Sequence, residues 1–393
     1  MNSRMLKVNL VLAMLLLLFV SVVVARAAFG PDVTWRYDKV FKGEDGRTTS
    51  LSGVIAPAAD DIWVVGQSDL RDAGGDTADD GFLMHYDGTD WQRRPLPASF
   101  GDSVYDARFD ALDSGGFLLT ASLQNLSSVR MAHWDGARWT ALPELPDDPR
   151  ASDVKAFAPD DIWVLDGQSR AYHWDGSRWT AMDLPIPVSA LDGAASDDLW
   201  AVGRRDPDAG GTDPALAHTQ PAAVHWDGRT WKLVEMPEYH YTVPAPEAYA
   251  QLTEVVATAK DDVRAYGALS SYSEDDEPDP PAQDIRLRWN GARWAKLPDE
   301  EGACADRGRS VSDGEGGVVV SAGRYRTADG DCEGIARPEL PSGDGIRSSA
   351  KQSLQLNDIA AVPGTDKVLG VGSVGISQGG DSTYRLVIAS LQR

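Results

Sequence analysis

The stretch AAVHWDGRTWKLVEMP, from Ala222 to Pro237, sets a histidine, a tryptophan and an aspartate side by side. Read alone, it resembles a catalytic or metal-binding cluster. The same phrase recurs, however, as HYDGTDWQRRPLP from His85, HWDGARWTALPELP from His133, HWDGSRWTAMDLP from His173 and RWNGARWAKLP from Arg288. A second phrase precedes it in several copies: APAADDIWVVG from Ala56, AFAPDDIWVLDG from Ala156, GAASDDLWAVG from Gly193 and a decayed ATAKDDVRAYG from Ala257. Recurrence of this kind marks a repeat architecture, and it makes the cluster part of a scaffold.

Each phrase reads as a hairpin. Asp-Gly between two strands favours a tight turn with positive backbone dihedrals, and Asp-Asp marks another turn because its carboxylates bond nearby amides. One unit is then a small-residue strand, the Asp-Asp turn, a strand ending in WVVG, a long loop, a strand ending in His-aromatic, the Asp-Gly turn, and a strand opening on Trp. Four antiparallel strands of this form make one blade of a β-propeller. The tryptophans obey the pattern: Trp63, Trp163 and Trp200 fall on second strands, Trp134, Trp174, Trp226 and Trp289 on third strands, and Trp91, Trp139, Trp179, Trp231 and Trp294 on fourth strands. Rings at equivalent positions fill the wedge between stacked sheets, and spacing that tracks the strands favours core packing over carbohydrate stacking.

First strands begin near Ser50, Val104, Asp153, Val188, Leu252, Arg309 and Leu354, which gives seven blades. The seventh ends without a fourth strand, and TWRYDKVF, from Thr34 to Phe41, supplies one ahead of the first blade. The expected fold is therefore all-β, a seven-bladed propeller over residues 28–393, closed by an N-terminal strand that completes the last blade and leaves few open edges.

At YDGTDWQRRPLP, from Tyr86, the chain resembles kelch and galactose-oxidase-like propellers, whose blades carry a glycine after the second strand and a later Tyr-Asp-Trp element. It departs from them in having one glycine, as in VVGQ from Val64, where kelch blades usually show a pair. Secreted bacterial propellers with DDxWxVG and HWDGxxW repeats look more similar, and that resemblance implies a fold without a defined activity. The copper site of galactose oxidase would need a cysteine cross-linked to tyrosine. Sialidase-like propellers carry Ser-x-Asp-x-Gly-x-x-Trp turns, whereas here Asp and Gly are adjacent. Catalytic residues are carried over from neither.

The balance of 37 basic and 60 acidic residues, net charge -23, repels phosphates and disfavours a nucleic-acid partner. Arg4 and Lys7 precede an apolar run from Val8 to Ala25 and small residues at Ala25 and Ala27, so residues 1–27 read as an export signal or an uncleaved membrane anchor. The only membrane contact expected is through that segment. The chain is then secreted or held at the cell surface, where its two cysteines, Cys304 and Cys332, are expected to pair.

Four histidines, His85, His133, His173 and His225, occupy one repeat slot. Rotation about the propeller axis keeps them apart, so they cannot share a metal, and no cofactor is expected. Each could bond its neighbouring aspartate, Asp87, Asp135, Asp175 or Asp227. The acidic strings RDAGGDTADDG from Arg71 and SEDDEPDPPAQD from Ser273 lack calcium-loop spacing.

Strand order puts the Asp-Asp and Asp-Gly turns on one face and the long, irregular loops on the other, where binding resides on rigid scaffolds. The candidate ligand residues there are Tyr239, His240, Tyr241, Tyr249, Asp206, Asp208, Asp213 and Tyr272, near blades four and five. The leading expectation is a monomeric, non-catalytic binding or scaffold protein for an extracellular carbohydrate or protein. The alternative is an extracellular lyase, hydrolase or oxidase with acid and base groups from the same set converging on the central channel.

Overall fold

A computed structural model describes residues 33–41, 49–71, 77–101, 104–123, 128–207, 218–241, 248–271, 279–300, 302–308 and 310–393. Residues 1–27, expected as a signal or anchor, lie outside them, as do residues 72–76 and 273–278 of the two acidic strings. The described chain forms seven four-stranded antiparallel sheets, six of them running in sequence order from an innermost to an outermost strand and the seventh completed by the first strand of the chain. First strands of neighbouring blades touch around the axis from blade six through blade seven and on to blade five.

The closing seam follows from the sequence. The strand Thr34–Val40 pairs antiparallel with Asp381–Gln392, Trp35 opposite Leu391, so the outermost strand of blade seven comes from the other end of the chain. Trp35 is 1% exposed, and its indole donates to the Ala322 carbonyl of blade six at 2.7 Å.

The repeated turns meet each other. Between the third and fourth strands the loop is four residues long, closed in blade one by Asp87 N–H on the Asp90 carbonyl. Only its glycine has a positive φ (Gly88 +87°, Gly176 +83°, Gly228 +81°), and the aspartate before it keeps an ordinary one. The aspartate accepts from the amides two and three residues on, Thr89 and Asp90 on Asp87 at 3.0 Å, so the tight turn expected with positive dihedrals is instead an Asx-stabilised four-residue loop. A Cβ on Gly176 would stand 2.7 Å from the Asp160 Cβ, and one on Gly88 2.9 Å from that of Asp60, so each glycine is the contact between the two turns of its blade.

Around the axis, first-strand carboxylates reach into the next blade: Asp153 accepts from Leu191 N–H at 2.7 Å, Asp192 from Ala257 N–H at 2.8 Å, and Asp358 from Val54 N–H at 2.8 Å. Lys155 answers Asp192 at 2.7 Å and Arg108 answers Asp153 at 3.5 Å. Burial pushes the Asp110 carboxyl up to about 6, against the pull of Arg108.

Blade six is the exception in size, with strands of two, four, three and three residues. The Cys304–Cys332 disulfide, S–S 2.05 Å, ties its outermost strand to the segment arriving from blade five.

Candidate functional site

The first strand of blade six, Val311–Ser312, is only two residues long, and Arg307, just before it, lines a cavity at the start of its neighbour's first strand. This cavity, of about 280 Å3, opens on the long-loop face. Blade five supplies most of its wall. Along the first strand, Tyr249–Ala259, alternate residues share a face, so Tyr249, Gln251 and Thr253 line the cavity while Ala250 and Leu252, each 0% exposed, enter the core. Gly267 of the second strand, Asp262–Ser270, permits the close pairing, since a Cβ there would lie 2.0 Å from the Gln251 carbonyl oxygen. Ser270, Asp284 and Arg307 complete the polar rim.

These groups are held before any ligand arrives. Arg204 Nη1 donates to the Tyr249 hydroxyl at 3.0 Å, and that hydroxyl donates to Gln251 Oε1 at 2.5 Å. Arg307 pairs with Asp284 at 3.0 Å at the mouth. Underneath, Arg286, 7% exposed, donates to the Asp306 and Pro298 carbonyls and pairs with Glu300. The Tyr266 hydroxyl donates to Asp306 at 2.8 Å, and burial pushes it up to about 12, so it stays a neutral donor. The rim offers hydroxyls, an amide and one ion pair, a set suited to orienting a polyhydroxylated or amide-bearing ligand.

Of the residues expected from sequence, Tyr249 lines this cavity. Tyr239, His240 and Tyr241 lie together in the adjoining connection, packed on the second and third strands of blade five and away from the axis. The Tyr241 hydroxyl donates to the Leu269 carbonyl at 3.2 Å and the Tyr239 hydroxyl to that of Arg286 at 3.4 Å, with Lys296 Nζ 3.8 Å from the Tyr239 ring centroid. Burial pushes Tyr239 up to about 12. His240 Nδ1 meets His218 Nε2 at 3.1 Å and its Nε2 meets Glu238 at 3.3 Å, while Glu238 also pairs with Arg205. Asp206 is exposed just after the second strand of blade four. Asp208, Asp213 and Tyr272 lie outside the described residues. Sequence reasoning passed over Gln251, Asp284 and Arg307. For Gln251 the one visible signal was the polar alternation Tyr249, Gln251, Thr253 in a strand read chiefly for its apolar residues, and Asp284 and Arg307 carried none.

The repeated histidines are structural, with a partner other than the one expected. His85 Nε2 meets Asp61 at 2.8 Å, His173 meets Asp161 at 2.9 Å and His225 meets Asp198 at 2.6 Å. Register explains the choice. Each histidine lies directly across from the second-strand tryptophan, as His85 from Trp63, and the aspartate two residues earlier shares that face. The rings stack, with centroids 4.0 Å apart for Trp63 and His85 and 4.2 Å for Trp163 and His173. Asp87, Asp135, Asp175 and Asp227 serve their own turns instead. In blade two Gly116 stands at the aspartate register, and burial pulls His133 down. Among the described residues, no group of three or more His, Cys, Asp and Glu side chains could hold a metal ion.

No protein-family model and no curated protein matches the chain. Among solved structures, similarity extends to YCF48 bound to D1 peptide, at 13% identity and TM-score 0.44 over 93% of this chain and 97% of that one. It extends also to the polysaccharide lyase Uly1, at 11% identity and TM-score 0.35 over 64% of this chain and 57% of that one.

Proposed function

We propose that this chain is an exported, kelch-like propeller that binds without catalysing, and that it holds one residue of an extracellular carbohydrate in the cavity of blade five. Residues 1–27 would direct export or anchor it, and the Cys304–Cys332 bond suits an oxidising compartment. Among the described residues no helix is long and apolar enough to cross a membrane.

The observation that carries this reading is the strand face of Tyr249, Gln251 and Thr253, turned to a cavity whose rim carries both donors and acceptors. A volume of about 280 Å3 suits one sugar ring, and the Tyr249 ring with its fixed hydroxyl offers an apolar face beside a polar edge. Among the described residues the cavity lining contains no histidine or cysteine, and its one carboxylate, Asp284, is engaged by Arg307. Preorganised hydrogen bonds without an acid and base poised together favour retention over turnover.

A glycan array probed with the whole chain and with Gln251→Ala and Arg307→Ala tests this. A bound glycan whose affinity falls about tenfold in both variants supports it, as expected for losing hydrogen bonds of this kind. No bound glycan, or profiles identical in all three proteins, rejects it.

A further inference from the structure

Three seams between blades are packed around the same trio of rings. Trp63 meets Trp134 and Trp139 of the next blade at 5.0 and 5.9 Å, Trp163 meets Trp226 and Trp231 at 5.0 and 5.7 Å, and Trp200 meets Trp289 and Trp294 at 4.9 and 5.1 Å. In each, the entering indole stands two residues after an aspartate and opposite a histidine.

The seam that closes the ring, from blade seven to blade one, keeps the receiving pair and lacks the entering ring. Tyr86 and Trp91 stand 5.4 Å apart. Leu369, opposite Ser390, takes the register that Trp63 holds opposite His85, and Lys367 replaces the aspartate. A groove of about 500 Å3 opens beside the pair, lined also by Lys367, Arg36, Tyr37, Asp38, Lys39 and Asp90. Leucine alone does not explain the opening. The seam from blade two to blade three also carries one, Leu118, but there Leu112, Leu142 and Leu145 pack in, and the indoles of Trp174 and Trp179 close on the Pro159 and Pro143 carbonyls.

The local charge is reversed as well. Where the filled seams place an aspartate, this one places Lys367, with Arg36 and Lys39 nearby and Asp38 drawing on Arg36 at 2.8 Å and Lys367 at 3.8 Å. In a chain of net charge -23, this edge carries three cations against the two carboxylates of Asp38 and Asp90, beside half-buried aromatic rings.

We propose that this groove receives an aromatic side chain of a partner polypeptide with a carboxylate beside it, so that the partner supplies from outside the ring that the repeat supplies from within elsewhere. Ring geometry selects the side chain, and the aspartate-to-lysine exchange selects the anion.

The test uses the whole chain, with N-acetyl-L-tryptophan and its amide as probes, followed by saturation-transfer NMR and calorimetry. Saturable binding of the acid, at least about fivefold tighter than the amide and weakened about tenfold by Lys39→Glu with Lys367→Glu, is the expected result for partly exposed ion pairs. Leu369→Trp should fill the groove and abolish binding. The paired lysine variant, at the surface, keeps the test decisive if the tryptophan variant fails to fold. No saturable binding at millimolar probe, equal affinity for acid and amide, or affinity indifferent to the lysines each overturns the proposal.

Discussion

Blade four and blade six occupy equivalent places in one ring and are held by different chemistry. Blade four has strands of eight, eight, seven and four residues. Its sheet buries Val188, Leu191, Leu199, Trp200, Val202 and Val224, and Trp200 is 1% exposed between the rings of Trp289 and Trp294. In blade six the buried apolar side chains of the strands are Val319 and Tyr325. A sheet that small buries too little surface to hold itself, and covalent and ionic contacts take over. The disulfide fixes its outer edge. Asp313, 1% exposed, accepts from the Tyr325 hydroxyl at 2.5 Å, from the Glu315 and Gly317 amides, and from Arg393 Nη1 at 2.6 Å. A propeller therefore tolerates loss of the repeat phrase at one position if other contacts fix that sheet to its neighbours, and the blade-five cavity is lined on that side by Arg307, from the segment leading into blade six.

The strongest way to break this contrast is Trp200→Ala. It empties a site enclosed by two tryptophans and should cost about 3–5 kcal/mol in denaturant unfolding. A loss below about 1 kcal/mol would mean that the indoles do not hold the seams. Replacing both cysteines by alanine should cost about 3 kcal/mol by loosening a short loop in the unfolded chain. Its signature is local: hydrogen exchange should quicken in residues 310–334 and leave the second strand of blade four protected. Uniform acceleration across both blades would show that blade six is not a separately held unit.

Acid should separate the two regions in opposite senses. Burial raises Asp110, on the first strand of blade two, to about 6, so the folded state takes up its proton before the unfolded chain does. Stability from this group therefore grows as pH falls from 7 through 6 towards 4, by about 1–3 kcal/mol. Asp313 is the reverse. Burial works against it, but the Tyr325 hydroxyl, the Glu315 amide and Arg393 hold its carboxyl below the usual range, so its contribution is present at neutral pH and is lost below about pH 4. Asp110→Asn should flatten the gain between pH 7 and 5 in thermal melts while leaving the acid loss in place. An unchanged pH slope would remove Asp110 as its source.

The same contrast explains what the sequence made legible. Where the phrases are intact, turn chemistry and ring spacing fix strand order, and even the closing strand at Trp35 could be placed, because an indole and alternating residues mark a fourth strand wherever it lies in the chain. The histidine partner was misread because Asp87 is near His85 along the chain, whereas Asp61 reaches it across the sheet, and cross-strand register becomes visible only after folding. The cavity residues escaped for a related reason. Arg307 and Asp284 belong to different segments, and their pairing at the cavity mouth becomes visible only after folding.

The finest discrimination concerns the turn glycines, through Gly176→Ala and Gly136→Ala. Both residues have left-handed φ, +83° and +92°, so both variants bear the same backbone strain of about 1–2 kcal/mol. They differ in surroundings. A Cβ on Gly176 would stand 2.7 Å from the Asp160 Cβ, while one on Gly136 would meet nothing within 4 Å, because blade two has no Asp-Asp turn behind it. Gly176→Ala should therefore cost about 1 kcal/mol more than Gly136→Ala, the increment belonging to steric contact between the two turns of an intact blade. Equal costs in paired urea titrations would show that backbone conformation alone explains the glycine in the repeat, and that the two phrases share a blade without depending on each other's contact.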